Sequence, residues 1–122
     1  MKANSLTPEQ QASYLENKYG VSTIKLVEDV QHFCPLGEQV GITHYEITVE
    51  PGKQLAELLE LHWSIQEMVG TKFTLESGAR MVYDKVAEAY KDAEWISVTA
   101  SCGMNRHMPA EITIDTGSVN EK

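Results

Sequence analysis

The sequence lacks the features that mark several large protein classes. It contains no apolar run near the roughly 20 residues that a membrane helix needs, and the segment before Pro8 has no apolar core of the kind found in signal peptides. Basic residues are scarce, because 10 Lys and Arg stand against 18 Asp and Glu, giving a net charge of −8. Nucleic-acid binding depends on basic groups that neutralise phosphates. We therefore expect no membrane partner and no direct nucleic-acid binding, and favour a small, weakly charged ligand.

Cysteine is rare as well, with only Cys34 and Cys102 in the chain. Without a signal peptide, two cysteines fit reduced thiols better than a disulfide framework, which favours a cytoplasmic protein. Together with His32 and His107 they are suitable zinc ligands, but their spacing follows no common pattern, so we expect no metal site. The sequence contains no phosphate-binding loop, no dinucleotide-binding fingerprint and no readable Ser-His-Asp spacing.

Length and patterning predict one domain that spans residues 1–122. Thr7 and Pro8 are typical of a helix start, and we predict an N-terminal helix over about 7–19 that stops at Gly20. Residues 116–122 are interpreted as a frayed tail.

Periodicity predicts the remaining elements and their order. Alternating apolar residues predict strands, and three- to four-residue spacing predicts helices; the strands cover 22–27, 43–50, 95–100 and 110–115, and the helices 55–70 and roughly 76–90. The order ββααββ predicts an α+β fold with a four-stranded antiparallel sheet and two helices on one face. Its other face must be polar or covered by a partner, and its edge strands favour pairing with neighbouring subunits.

The Cys34-Pro35 pair, which opens a short glycine-containing loop, is the strongest candidate for chemistry. Such a loop can expose a nucleophilic thiol, although a free Cys is more often a small buried hydrophobe. A reactive sulfur needs a thiolate stabilised by a positive neighbour or a helix N-terminus. His32 lies two residues earlier, so both side chains would share one face of an extended segment. It is the nearest candidate partner, and His44 and His107 are the others.

The element order resembles that of the tunnelling fold, whose subunits join their sheets into barrels around a central tunnel. Members bind purines or pterins at subunit interfaces through an acidic anchor. Within that fold the sequence resembles the 7-cyano-7-deazaguanine reductases and their sister branch, the archaeosine amidinotransferases. The match covers about Val30 to Ile114 and is one of spacing more than of identity. It implies a homo-oligomer that binds a purine.

Four residues keep the intervals of that family without a gap: Cys34, Pro51, Glu57 and Glu76. The resemblance implies that Cys34 adds to a nitrile carbon to form a thioimide. It also implies that Glu76 grips the purine and that Glu57 corresponds to the acid of the family's central motif. Arg106 corresponds to an Arg in a glycine-containing loop, where it could meet a cofactor phosphate.

The chain also departs from the family pattern. Gly41 stands where the family has a proton-donating Asp, and Leu75 stands where a His precedes the purine-binding Glu. The lysine-rich segment associated with the nicotinamide cofactor is replaced by Leu58–Trp63. No cofactor is therefore expected. NADPH is the possible exception, although its binding motif is not matched.

Two functions follow as hypotheses. In the first, the protein captures the nitrile of 7-cyano-7-deazaguanine on Cys34 and then transfers an amine or reduces the adduct with NADPH. The nitrile nitrogen then needs a general acid, for which His32, Glu38 and His44 are the nearby candidates. In the second, the protein is a non-catalytic purine-binding or scaffold protein, a hypothesis favoured by Gly41 and Leu75.

Overall fold

Four antiparallel strands form one sheet whose inner face is covered by helices. The computed structural model describes residues 6–35, 37, 40–102 and 110–120. The strands are β1 Ile24–Phe33, β2 Val40–Glu50, β3 Trp95–Cys102 and β4 Ala110–Asp115, and the helices are α1 Pro8–Tyr14, α2 Leu58–Gln66, α3 Leu75–Ala89 and α4 Thr116–Asn120. The strands are ordered β1-β2-β3-β4 across the sheet. This confirms the predicted α+β class and the predicted ββααββ order.

The first helix is shorter than predicted, because the chain after Tyr14 turns to bind the segment that follows β2. The Leu55 backbone N–H donates to the Leu15 carbonyl at 2.6 Å, and the Asn17 amide donates to the Gly52 carbonyl at 3.0 Å. These contacts replace the helical hydrogen bonds expected up to about residue 19. An Asn side chain can offer the backbone such an alternative to helix.

The C-terminal residues 116–120 form a short helix instead of the frayed tail that was predicted. The Asp115 carboxylate accepts a hydrogen bond from the Ser118 N–H at 2.8 Å, which caps the start of this helix. Its neighbour Thr116 accepts from the Ile96 N–H at 2.8 Å, which ties the turn to β3.

The core lies between the sheet and the two longer helices. Alternate residues of each strand point inward, so Val30, Tyr45 and Val98 are fully buried. They pack in one cluster with side chains such as Ile65 of α2 and Val82 of α3. The inward row of β1 continues past Val30 to His32, and this brings a polar side chain to one end of the core.

The start of α3 is fixed by a capping box and by a close helix–sheet approach. Thr74 accepts a hydrogen bond from the Ser77 N–H at 3.1 Å, and the Ser77 hydroxyl accepts from the Thr74 N–H at 2.9 Å. One residue later, Gly78 lies against the rings of Phe73 and Tyr45. The first turn of α3 is therefore held firmly over β2.

The outer face of the sheet carries no helix among the described residues and is polar at its centre. Thr99 and Thr113 face each other across β3 and β4, with their hydroxyl oxygens 2.9 Å apart. Exposed apolar side chains occupy one end of this face, where Phe33 pairs with Val40 and Ile42 follows. That end is also where Cys34 leaves β1.

Candidate active site around Cys34

Cys34 leaves the end of β1 beside the segment that leads into α3. The Phe33 N–H donates to the Thr71 carbonyl at 2.9 Å, and the Phe73 N–H donates to the Phe33 carbonyl at 3.1 Å. This short parallel pairing carries the chain to Leu75, where α3 begins. Cys34 is half-buried, and its thiol is not in a disulfide. Cys34 is therefore next to a residue that pairs with the segment leading into α3.

His32 lies on the inner face of β1, two residues before Cys34. Its side chain is only 5% exposed. The imidazole Nε2 lies 2.7 Å from the Thr43 hydroxyl oxygen, and the ring stacks on Phe73 with centroids 4.0 Å apart. The structure therefore holds the imidazole in one orientation close to the end of β1.

The environment of His32 favours its neutral form. Burial lowers the pKa of His32, and the backbone groups of Phe33 and Phe73 counteract this only in part. An imidazole with a lowered pKa is uncharged near pH 7, so it supplies no fixed positive charge to a neighbouring thiolate. Its Nδ1 is buried without a hydrogen-bond partner of good geometry among the described residues. These properties suit a proton carrier better than the cationic activator considered from the sequence.

Gly41 pairs directly with His32 across β1 and β2. A Cβ atom at position 41 would lie 3.8 Å from His32 Nε2, an ordinary van der Waals separation. A side chain at this position would therefore begin next to the imidazole. The His32 imidazole is therefore next to the place where the side chain of a proton donor at position 41 would begin.

Glu76 and Leu75 lie in the first turn of α3, at the same end of the molecule as Cys34. Glu76 is exposed in the first turn of this helix. Leu75 is half-buried and packs against the core cluster, so its side chain fills space beneath the turn. The structure thus brings Cys34, His32, Leu75 and Glu76 to one end of the sheet.

Within one subunit, Glu57 lies beside the last turns of α3, whereas the site residues described above lie at the start of that helix. Its carboxylate caps α2 and accepts hydrogen bonds from the Leu59 N–H at 3.1 Å and the Glu60 N–H at 2.7 Å. It lines a cavity with Lys85 of the last turns of α3. Since α3 has 15 residues, about 20 Å separates its two ends. The cap explains why the sequence has an acid here, and Glu57 does not join Cys34 in the same subunit.

His44 lies on the outer face of the sheet, away from Cys34. Its Nδ1 is 2.7 Å from Asp29 Oδ1, and its Nε2 is 3.7 Å from Glu46 Oε1. The hydrogen bond to Asp29 is the main cause that raises the pKa of His44, and slight desolvation opposes it. His44 therefore belongs to a surface charge cluster and does not face the thiol of its own subunit.

Three predicted or considered residues, Glu38, Arg106 and His107, lie outside the described residues. Within the part of the chain that is described, no group of three or more His, Cys, Asp or Glu side chains is arranged to hold a metal ion. In the same part, no helix is long and apolar enough to cross a membrane.

Two residues that contact His32 were not predicted from the sequence. Thr43 is fully buried and binds His32, and Phe73 provides the ring on which the imidazole stacks. The alternation of β2 gave a usable signal for Thr43, because it shares a face with Tyr45. Phe73 precedes a helix and gave no such signal.

Comparison with known proteins supports the fold. The structure is similar to that of an archaeosine synthase QueF-Like in the apo form, with a TM-score of 0.72 and 18% sequence identity. The match covers 80% of this chain and 95% of that one. No family model matches the sequence, and no curated protein matches it significantly. At this identity the likeness establishes the fold, so the predicted tunnelling fold is confirmed.

Proposed function

We propose that this protein processes a 7-deazaguanine and that Cys34 captures the nitrile of 7-cyano-7-deazaguanine. The observation that carries the proposal is the grouping at the end of β1. A half-buried free thiol directly follows Phe33, which pairs with the segment that leads into α3 and to the exposed Glu76, and it lies two residues from the buried, neutral His32. The shared fold with an archaeosine synthase supports the same class of substrate.

The capture step needs only groups present at this end of the sheet. The Cys34 thiolate forms a bond to the nitrile carbon, one carbon–nitrogen π bond breaks, and the nitrogen takes up a proton. We assign His32 as the proton carrier, because it lies two residues before Cys34 and its neutral imidazole can take the thiol proton and return it to the nitrile nitrogen. The product is a thioimide. Attack by ammonia or another amine on the thioimide carbon then expels the thiolate and leaves an amidine.

Reduction of the thioimide is the second enzymatic route, and α2 argues against it. Hydride transfer would require NADPH, whose phosphates need basic residues. The surface of α2 instead exposes Leu59 and Trp63 with Glu60 between them. Amine transfer is therefore the favoured fate of the adduct.

Glu76 is assigned as the anchor of the purine ring. The guanine edge presents adjacent N–H donors, and an ionised carboxylate can accept two of them at once. Glu76 is exposed at the N-terminus of α3, where a ligand can reach its carboxylate. It can thus hold the ring while the nitrile reaches toward Cys34.

Oligomerisation through the sheet edges is part of the proposal. β1 and β4 are the outer strands of the sheet. Beyond the end of β1 that already pairs with residues 70–73, their edges are available for pairing with another chain. The apolar end of the outer face, formed by Phe33, Val40 and Ile42, would be covered in such an assembly. A neighbouring subunit could then complete the purine site.

Intact-mass analysis after incubation with 7-cyano-7-deazaguanine tests the capture step. We expect a mass gain equal to that of the ligand, because addition to the nitrile loses no atoms. The matched control is 7-deazaguanine, which lacks the nitrile and should add no mass. An unchanged mass with noncovalent binding of both ligands would instead support the non-catalytic purine-binding protein, the alternative that Gly41 favours.

Replacement of Glu76 by Gln should weaken noncovalent binding of 7-deazaguanine. Hydrogen bonds to a charged group contribute about 1.5–3 kcal/mol, so affinity should fall about 10- to 100-fold in isothermal titration calorimetry. Glu60→Gln is the control, because Glu60 is also a first-turn acid of a helix but lies near the far end of α3. Equal affinity of the Glu76→Gln and wild-type proteins would remove Glu76 from the site.

A further inference from the structure

α2 is fixed to the sheet by a polar cluster beneath it. The Glu28 carboxylate is on the inner face of β1 and accepts hydrogen bonds from His62 Nδ1 at 2.8 Å and from Gln66 Nε2 at 2.9 Å. The Glu28 side chain is 11% exposed, so these bonds are shielded from water. Leu61 and Ile65 are buried on the same helix. The cluster and the buried residues together decide which face of α2 points outward.

That outward face is apolar and open. Leu59 is 58% exposed and Trp63 is 61% exposed, one helical turn apart. A groove of about 430 Å³ runs from Leu59 to α1, where Leu6 and Tyr14 line it. Clusters of large exposed apolar side chains on a rigid element mark interaction sites more often than isolated ones do. We call Leu59, Trp63, Leu6 and Tyr14, together with the groove just described, the α1–α2 face.

The rim of the α1–α2 face is acidic. Glu57 and Glu60 line the groove beside Leu59, and Glu67 lies one turn beyond Trp63 with its side chain 74% exposed. Lys85 is the basic group nearest to Glu67, at 3.8 Å, and it is itself mostly covered. The face thus combines an apolar centre with negative charge around it.

This charge pattern selects among the possible occupants. In a two-fold dimer the face would meet itself, so the acidic rims would repel each other across the contact. An anionic lipid surface would be repelled in the same way. A basic amphipathic helix is complementary on both counts, since its apolar side fits the groove and its Lys or Arg residues reach the rim.

We propose that the α1–α2 face binds a partner protein through a basic amphipathic segment. The proposal is independent of the chemistry at Cys34, because the face lies around α1 and the start of α2, and Glu57 there is about 20 Å along α3 from the proposed active site. We assign Trp63, one helical turn beyond Leu59, as its aromatic anchor; its ring is edge-to-face on His62, with centroids 5.0 Å apart. Aromatic residues held in this way are common energetic centres of interfaces.

A titration with a synthetic helical peptide, Leu on one side and Lys on the other, tests this proposal. We expect saturable binding in calorimetry and a blue shift of Trp fluorescence, because Trp63 leaves water on binding. The counterpart peptide with Glu in place of Lys should not bind. Trp63→Ala and Glu60→Gln should each weaken binding by about tenfold or more.

Two control variants separate this site from general attraction to an acidic protein. Glu111→Gln removes one exposed acid on the outer face of β4, and Tyr19→Ala removes one exposed aromatic outside the groove; both should bind the peptide as the wild type does. Equal weakening by Glu60→Gln and Glu111→Gln would overturn the proposal. It would also fail if the free protein self-associated in sedimentation and Trp63→Ala abolished that association, because a second copy would then be the occupant.

Discussion

Replacement of Cys34 by Ala should abolish the mass gain with 7-cyano-7-deazaguanine completely. The sulfur atom is one end of the proposed covalent bond, so no partial activity should remain. The substitution removes one atom from a half-buried position, and we expect a small change in the free energy of unfolding. Noncovalent binding of the purine should therefore survive, because Glu76 and the fold are unchanged.

Cys102→Ala is the matched control for this experiment. Cys102 is also a half-buried free cysteine, but it ends β3, two strands from β1. We expect the Cys102→Ala variant to gain the full ligand mass. An adduct that persisted in Cys34→Ala and vanished in Cys102→Ala would move the nucleophile to β3 and overturn the assignment made here. Intact mass with peptide mapping distinguishes these outcomes.

The inward position of His32 was accessible from the sequence because it depends on local geometry; that Cys34 shares this face stays a prediction, since β1 ends at Phe33. A strand places residues two apart on the same face, and β1 remains extended up to Phe33. The prediction needed only that the segment be extended. The position of Glu76 was accessible for a similar reason, since Thr74 signals a helix start directly before it.

Other parts of the site depend on contacts between distant segments, which sequence spacing does not encode. Nothing in the intervals shows that Glu57 lies at the opposite end of α3 from Cys34, or that its carboxylate caps α2. The outward position of His44 follows from the register of β2 and could have been read from its place beside the inward Tyr45. The stacking of His32 on Phe73 joins residues about 40 positions apart and became visible only with the fold.

Gly78→Ala should destabilise the protein strongly, although Ala is the better helix former. A Cβ atom at Gly78 would lie 2.5 Å from Tyr45 Oη and 2.5 Å from Phe73 Cδ1, closer than atoms approach in folded proteins. Both rings are buried and have little room to move. Overpacking of this kind costs about 1–3 kcal/mol and is offset in part by the gain of about 1 kcal/mol from replacing a helical Gly, so we expect a net loss of up to about 2 kcal/mol. Urea denaturation measures the loss.

Gly41→Ala is the control, because its Cβ atom would meet His32 Nε2 at an ordinary 3.8 Å. We expect a change well below that of Gly78→Ala. Adding Tyr45→Phe to Gly78→Ala should restore part of the lost stability, since it removes one of the three atoms that would lie closer than 3.0 Å to the new Cβ. The Tyr45 hydroxyl is buried without a hydrogen-bond partner of good geometry among the described residues, so its removal alone should cost little. If the two effects were additive in this double-mutant cycle, the stability cost of Gly78→Ala would not depend on Tyr45. The close approach of α3 to β2 would then not explain why position 78 is a glycine.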